Sequence, residues 1–247
     1  KAGQLHKAIE IYRQILRVKP DIPEVHGNLG SALKQQGKLD EAALCYRNAL
    51  ALKPEFAEMH FNLGNVLFVQ DKLAEAEHCY RQALALKPEF APLYNNLGNA
   101  LEAQDRFEEA EVCYHHAIGL EPDFAELHYN LGNVLKAQGK PEEAAVYYRN
   151  TLNLQPDFVD AHTRLGNILR DRHQFEEATL CYRRAVKLKP DFAEAYNSLG
   201  TVLQAQNFLE EAVLYYRHAL ALKPDFAEVY NNLGNVLFVQ SRPDDAL

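Results

Sequence analysis

The chain has 247 residues, 47% of them apolar and 24% charged, an ordinary composition for a water-exposed chain of one or two domains. A net charge of −8 and a pI near 5.7 lack the basic footprint expected of a nucleic-acid binder. No apolar run approaches the roughly 20 residues of a membrane span, and Cys45, Cys79, Cys113 and Cys181 have neither zinc-ligand nor disulfide-framework spacing.

Residues 1–22 hold one amphipathic helix, "LHKAIEIYRQIL". From Pro23 onward the pattern becomes pairs of helices in units 23–56, 57–90, 91–124, 125–158, 159–192 and 193–226, and residues 227–247 begin one more unit. The first helix of each unit is expected to start near the phenylalanine that follows the proline. In "KPDFAE", Asp225 is placed to cap and Glu228 to close a capping box three residues on. The first helix should stop at Gly37, Asp71, Asp105, Gly139, His173, Asn207 and Ser241, mostly residue types that tolerate the left-handed conformation. The second helix opens with acids such as Glu108 and Glu109 and carries Arg47, Arg81, Arg149 or Arg183 further on, matching the helix dipole. Pro141 and Pro243 fall in its first turn, where a missing N–H costs little.

The units repeat every 34 residues. Leu-Gly recurs from Leu29-Gly30 to Leu233-Gly234, and proline and tyrosine keep the same step from Pro20 and Tyr12. Such a fixed period marks a stacked array, in which each unit buries its apolar face on its neighbours. The cysteines share the step and read as small buried residues on a repeated face; free thiols fit a reducing, cytoplasmic compartment. A glycine inside a helix costs about 1 kcal/mol relative to alanine, so its recurrence demands close packing. The expected contact is small against small, Gly64 on Ala76, with Leu63, Leu67 and Tyr80 around it.

The run Leu97, Gly98, Ala110, Tyr114, Ala117, Pro122 matches the pattern of the tetratricopeptide repeats, and the resemblance extends over essentially the whole chain. Departures are Thr151, where the family has a small alanine, and His26, His60 or Tyr94, where tryptophan is common. The resemblance implies an all-α solenoid: a right-handed superhelix of antiparallel helix pairs, first helices lining a concave groove. It implies a non-catalytic scaffold that binds an extended peptide or a partner protein, without cofactor or metal. The "NLGN" stretches are also similar to bacterial arrays and to the targeting array of O-GlcNAc transferases, so a substrate-targeting region of a larger enzyme is the alternative. Pure structural assembly through the array ends is a third.

With Leu63, Gly64 and Leu67 facing the core, a 100° step per residue sends Asn62 and Asn65 to the opposite side. One row contains Asn28, Asn62, Asn96, Asn130, Arg164, Ser198 and Asn232, and the other Ser31, Asn65, Asn99, Asn133, Asn167, Thr201 and Asn235. Asparagine is a mediocre helix former, but its amide pairs with a peptide N–H and C=O without reading sequence. These residues are therefore the candidate peptide-binding groove; copying with each duplicated repeat is the competing explanation. Phe61, Phe68, Val69, Tyr129, Phe238 and Val239 are candidates for side-chain specificity. Glu24, Glu58, Glu126, Asp160, Glu194 and Glu228 read first as caps, and second as an acidic rail. His26, His60, His128 and His162 stand a repeat or more apart, too far for a shared metal, and read as packing residues. The half repeats at the two ends suggest a longer array, and head-to-tail self-association through their exposed apolar faces is expected.

Overall fold

The computed structural model describes residues 2–241, and these form helices joined by short turns. They fall into two compact units, divided between Gln138 and Gly139. The first contains α1 (Ala2–Val18), α2 (Pro23–Gln35), α3 (Leu39–Leu52), α4 (Ala57–Val69), α5 (Leu73–Leu86), α6 (Ala91–Glu102), α7 (Phe107–Leu120) and α8 (Ala125–Ala137). The second contains α9 (Pro141–Leu154), α10 (Val159–Asp171), α11 (Phe175–Leu188), α12 (Ala193–Ala205), α13 (Leu209–Leu222) and α14 (Ala227–Ser241). Each unit is an α-solenoid. In the first, α2, α4 and α6 each pack on the helix that follows and touch the next first helix along. In the second, α10 and α12 do the same. Among the described residues no helix is long and apolar enough to cross a membrane.

The turn inside each pair has the predicted backbone origin. Positive φ occurs at Gly37, Asp71, Asp105, Gly139, His173 and Asn207. The N–H after Gly37, Asp71, Asp105, His173 and Asn207 reaches back into the helix, as in Lys72 N–H to Leu67 O at 2.9 Å, while Asp71 N–H meets Phe68 O at 3.0 Å. That pairing is a Schellman closure, which satisfies the last carbonyls of the first helix. Ser241 differs, being the final residue of α14 and still helical. Pro243, expected in the first turn of another second helix, lies outside the described residues.

Two expectations need correction. The first helices are not capped by Asp-x-x-Glu boxes: the N-caps of α4, α6, α8, α10 and α12 are Phe56, Phe90, Phe124, Phe158 and Phe192, with no side-chain capping bond. The helix starts one residue later than the box requires, so the acids sit within the first turn. There they complement the dipole and pair elsewhere: Glu24 with Lys53 at 3.5 Å, Glu194 with Lys223 at 3.4 Å, and Glu228 with the Asn197 amide at 3.0 Å.

The second correction concerns the glycines. A Cβ on Gly64 would lie 2.6 Å from the Tyr80 ring, and one on Gly30, Gly98, Gly166 or Gly200 would collide likewise with Tyr46, Tyr114, Tyr182 or Tyr216. The glycine makes room for an aromatic ring from the second helix, not for an alanine. Those tyrosines are at most 1% exposed and form the axis of the core, flanked by Leu63 and Leu67 or their equivalents. Thr151, fully buried, fits by bonding its hydroxyl to Tyr147 O at 2.9 Å. The histidines pack as expected: His26, His60, His128 and His162 each donate Nε2–H to the carbonyl of the proline six residues before, at 2.8–2.9 Å. Cys45, Cys79 and Cys113 are buried and Cys181 half-buried; burial pushes the Cys79, Cys113 and Cys181 thiols up to about 11.

Candidate functional site

The two asparagine rows run along the first helices, and the structure assigns them different partners. The second row meets the buried tyrosines. Tyr80 Oη donates to Asn65 Oδ1 at 2.9 Å, Tyr114 Oη to Asn99 Oδ1 at 2.7 Å, and Tyr182 Oη to Asn167 Oδ1 at 2.7 Å. Ser31 and Thr201 stand in the same relation to Tyr46 (3.1 Å) and Tyr216 (3.4 Å). A buried hydroxyl needs a partner, and leaving it without one costs about 1–3 kcal/mol. The row is therefore partly explained by the fold, a role that sequence periodicity alone did not reveal.

In the first unit the rows are stitched together from helix to helix. Asn96 Nδ2 donates to Asn65 Oδ1 at 2.7 Å, and Asn130 Nδ2 to Asn95 Oδ1 at 3.0 Å and Asn99 Oδ1 at 3.5 Å. Asn95 was missed by the row argument because its register carries Gly27, Phe61 and Tyr129 in the other repeats of this unit. Asn28 is exposed and Asn62 half-buried, and neither amide has a hydrogen-bond partner among the described residues. Asn133 is half-buried on α8.

Beside Asn62 lies a cleft of about 350 Å³ between α4 and α6, lined by Ala57, Glu58, Phe61, Asn62, Lys87, Phe90 and Leu93. Phe61 and Phe90 meet edge to face with centroids 5.7 Å apart, and Lys87 Nζ stands 4.4 Å over the Phe90 ring. The cleft thus combines an aromatic wall, one amide and one charge of each sign. Phe61 is the specificity candidate that lines it. Phe68 is half-buried on α4, and Val69 is 67% exposed at the end of that helix.

In the second unit the same registers are more varied. Arg164 is exposed on α10, and Ser198 takes the following place. Asn232 Nδ2 donates to Asn197 Oδ1 at 3.1 Å, and Asn235 is exposed on α14. Asn197, buried, is a second network member that row counting overlooked.

The second helices carry a different pattern on their outer side. Arg13–Glu41, Arg47–Glu75 and Arg81–Glu109 link successive second helices at 2.7–3.3 Å in the first unit, as do Arg149–Glu177 and Arg183–Glu211 at 2.8–3.2 Å in the second. These pairs are half exposed and each contributes about 0–1 kcal/mol.

Comparison with known proteins agrees with the repeat architecture. Residues 1–198 match the family model of tetratricopeptide repeats described as "Cilia and flagella-associated protein 70 C-terminal domain", and residues 205–241 match a tetratricopeptide-repeat model. The chain belongs to this family of tetratricopeptide-repeat domains. Among solved structures it resembles the C-terminal part of a repeat-containing protein from Cytophaga hutchinsonii (TM-score 0.77, 15% identity, covering 94% of this chain and 96% of that one). It also resembles PilF of Pseudomonas aeruginosa (TM-score 0.73, 23% identity, 94% and 99% covered). A third is YrrB, described as having an unusual peptide-binding site (TM-score 0.67, 23% identity, 76% and 97% covered). At these identities the likeness concerns the fold. Comparison with curated proteins gave no match.

Proposed function

We propose that the chain is a non-catalytic interaction scaffold, and that the first-helix face of α2, α4, α6 and α8 holds an extended peptide or an extended segment of a partner protein. The observation that carries this is the placement of Asn62. Its amide has no partner among the described residues and lines the aromatic cleft, on the same helix as Asn65, which accepts from the Asn96 amide. An extended strand has unpaired N–H and C=O groups along its length, and amides at successive helices offer donors and acceptors to them. The cleft supplies a place for one apolar side chain. A peptide-binding relative of the same fold, YrrB, supports the reading. The test is selection of random linear peptides on the immobilised chain, followed by titration with Asn62→Ala. The variant should retain its thermal midpoint and lose on the order of tenfold in peptide affinity; unchanged affinity overturns the assignment of Asn62.

A further inference from the structure

Three residues before the left-handed turn, the first-helix face carries different side chains from repeat to repeat: Lys34, Phe68, Glu102 and Lys136 in the first unit, Arg170 and Gln204 in the second. Glu102 is the one acid at this register. It follows Asn95 and Asn99 at intervals that place all three on one side of α6. The carboxylate is half-buried, with Oε2 2.9 Å from Tyr114 Oη, and that same hydroxyl lies 2.7 Å from Asn99 Oδ1. A phenol has one proton to donate. Three oxygens therefore converge on a single hydrogen, and the Asn130 amide reaches Asn99 only at 3.5 Å.

Among the described residues Tyr114 is the only partner of the Glu102 carboxylate. Arg106, four residues further along the chain, is engaged by Glu77 and Glu109. Burial accordingly pushes the Glu102 carboxyl up from the usual value, with the Tyr114 hydrogen bond opposing it. A carboxylate held this way is short of a charged donor, and a charge-assisted bond is the strongest it could gain.

We propose that Glu102 is a specificity-determining residue of the first-helix face and receives a lysine or arginine side chain of the bound extended chain. This rests on the peptide reading above and adds the chemistry of one ligand position. The chain itself shows that the site tolerates a neutral isostere: at the matching place Gln204 Oε1 accepts from Tyr216 Oη at 2.8 Å. Glu102→Gln therefore removes the charge while keeping the tyrosine bond.

The experiment selects random linear peptides on the wild-type chain and on Glu102→Gln, then titrates a wild-type-selected peptide and its basic-to-norleucine analogue by calorimetry. Wild-type peptides should share a basic residue at one fixed position. Either change should cost on the order of tenfold in affinity, and both together little more than one, as for groups that act on each other. Selected peptides without a fixed basic residue, or the same preference and affinity in Glu102→Gln, overturn this inference and leave the peptide reading standing. Failure of the wild-type chain to select any peptide removes the peptide reading, and the inference with it.

Discussion

Two carboxylates on neighbouring helices show how differently the two sides of the solenoid are finished. Glu77, on α5, is held by Arg81 at 2.9 Å, Arg106 at 2.6 Å and the Gln104 amide at 3.2 Å. Glu102, on α6, has only the Tyr114 hydroxyl. Around Glu77 every acceptor finds a donor from the protein, and the Arg–Glu ladder continues that pattern along the second helices. Around Glu102 acceptors outnumber donors. A surface that completes its own pairing asks nothing of a ligand, whereas one that leaves charge and amides unmatched gains from binding. The proposed recognition by the first helices rests on that difference.

The largest expected effect comes from the tyrosine beneath the Glu102 cluster. Tyr114 is fully buried and anchors both Asn99 and Glu102, so Tyr114→Ala should cost about 3–5 kcal/mol in urea unfolding. Along the second helices, Arg47→Ala removes a half-exposed pair with Glu75 and should cost less than about 1 kcal/mol. Comparable losses from the two variants would mean that the outer ladder, and not the tyrosine axis, holds the repeats together.

Next come two helical glycines with opposite environments. Gly64→Ala drives a methyl to 2.6 Å from the buried Tyr80 ring, an overpacking cost of about 1–3 kcal/mol against about 1 kcal/mol regained in helix propensity. Gly119, exposed on α7, has nothing within 4 Å of its Cβ position. There alanine should stabilise by up to about 1 kcal/mol. Thermal midpoints moving in opposite directions would confirm that the first glycine is kept for its neighbour.

Much of this organisation is legible in the sequence, because a 34-residue period fixes the helix pairs, the left-handed turns and the register of the core. Gly37 and Asp71 were readable since few residue types accept positive φ. What escaped is pairing between residues far apart in the chain. Nothing local distinguishes an asparagine that accepts from Tyr80 from one that faces solvent, so Asn65 and Asn62 look alike in the sequence and differ in the structure. The capping box failed for a related reason. Its letters were present, but the phenylalanine one residue on is the N-cap.

The smallest effect is the most diagnostic, because its sign differs between the two carboxylates. At Glu77 burial alone would raise the pKa, but hydrogen bonds from Arg81, Gln104 and Arg106 and the Arg106 charge outweigh it, so the group lies below the usual 4.5. Its ionised form stabilises the fold above that value, and the contribution fades as pH falls through the folded pKa. At Glu102 burial dominates and the group lies above 4.5. The fold favours its neutral form, so that contribution is present in acid and lost as pH rises through the folded pKa. Below both values each carboxyl resembles its glutamine substitute. From about pH 2 to pH 7, Glu77→Gln should therefore lose stability relative to wild type up to the usual carboxyl value and stay level above it, whereas Glu102→Gln should gain from that value up through the Glu102 folded pKa. Both differences should stay well under the Gly64 effect, given the partial exposure of the groups. Urea midpoints of the three proteins across that range would check it. Curves diverging in the same direction would mean that Glu102 is compensated within the protein, and its charge would then no longer be free for a ligand.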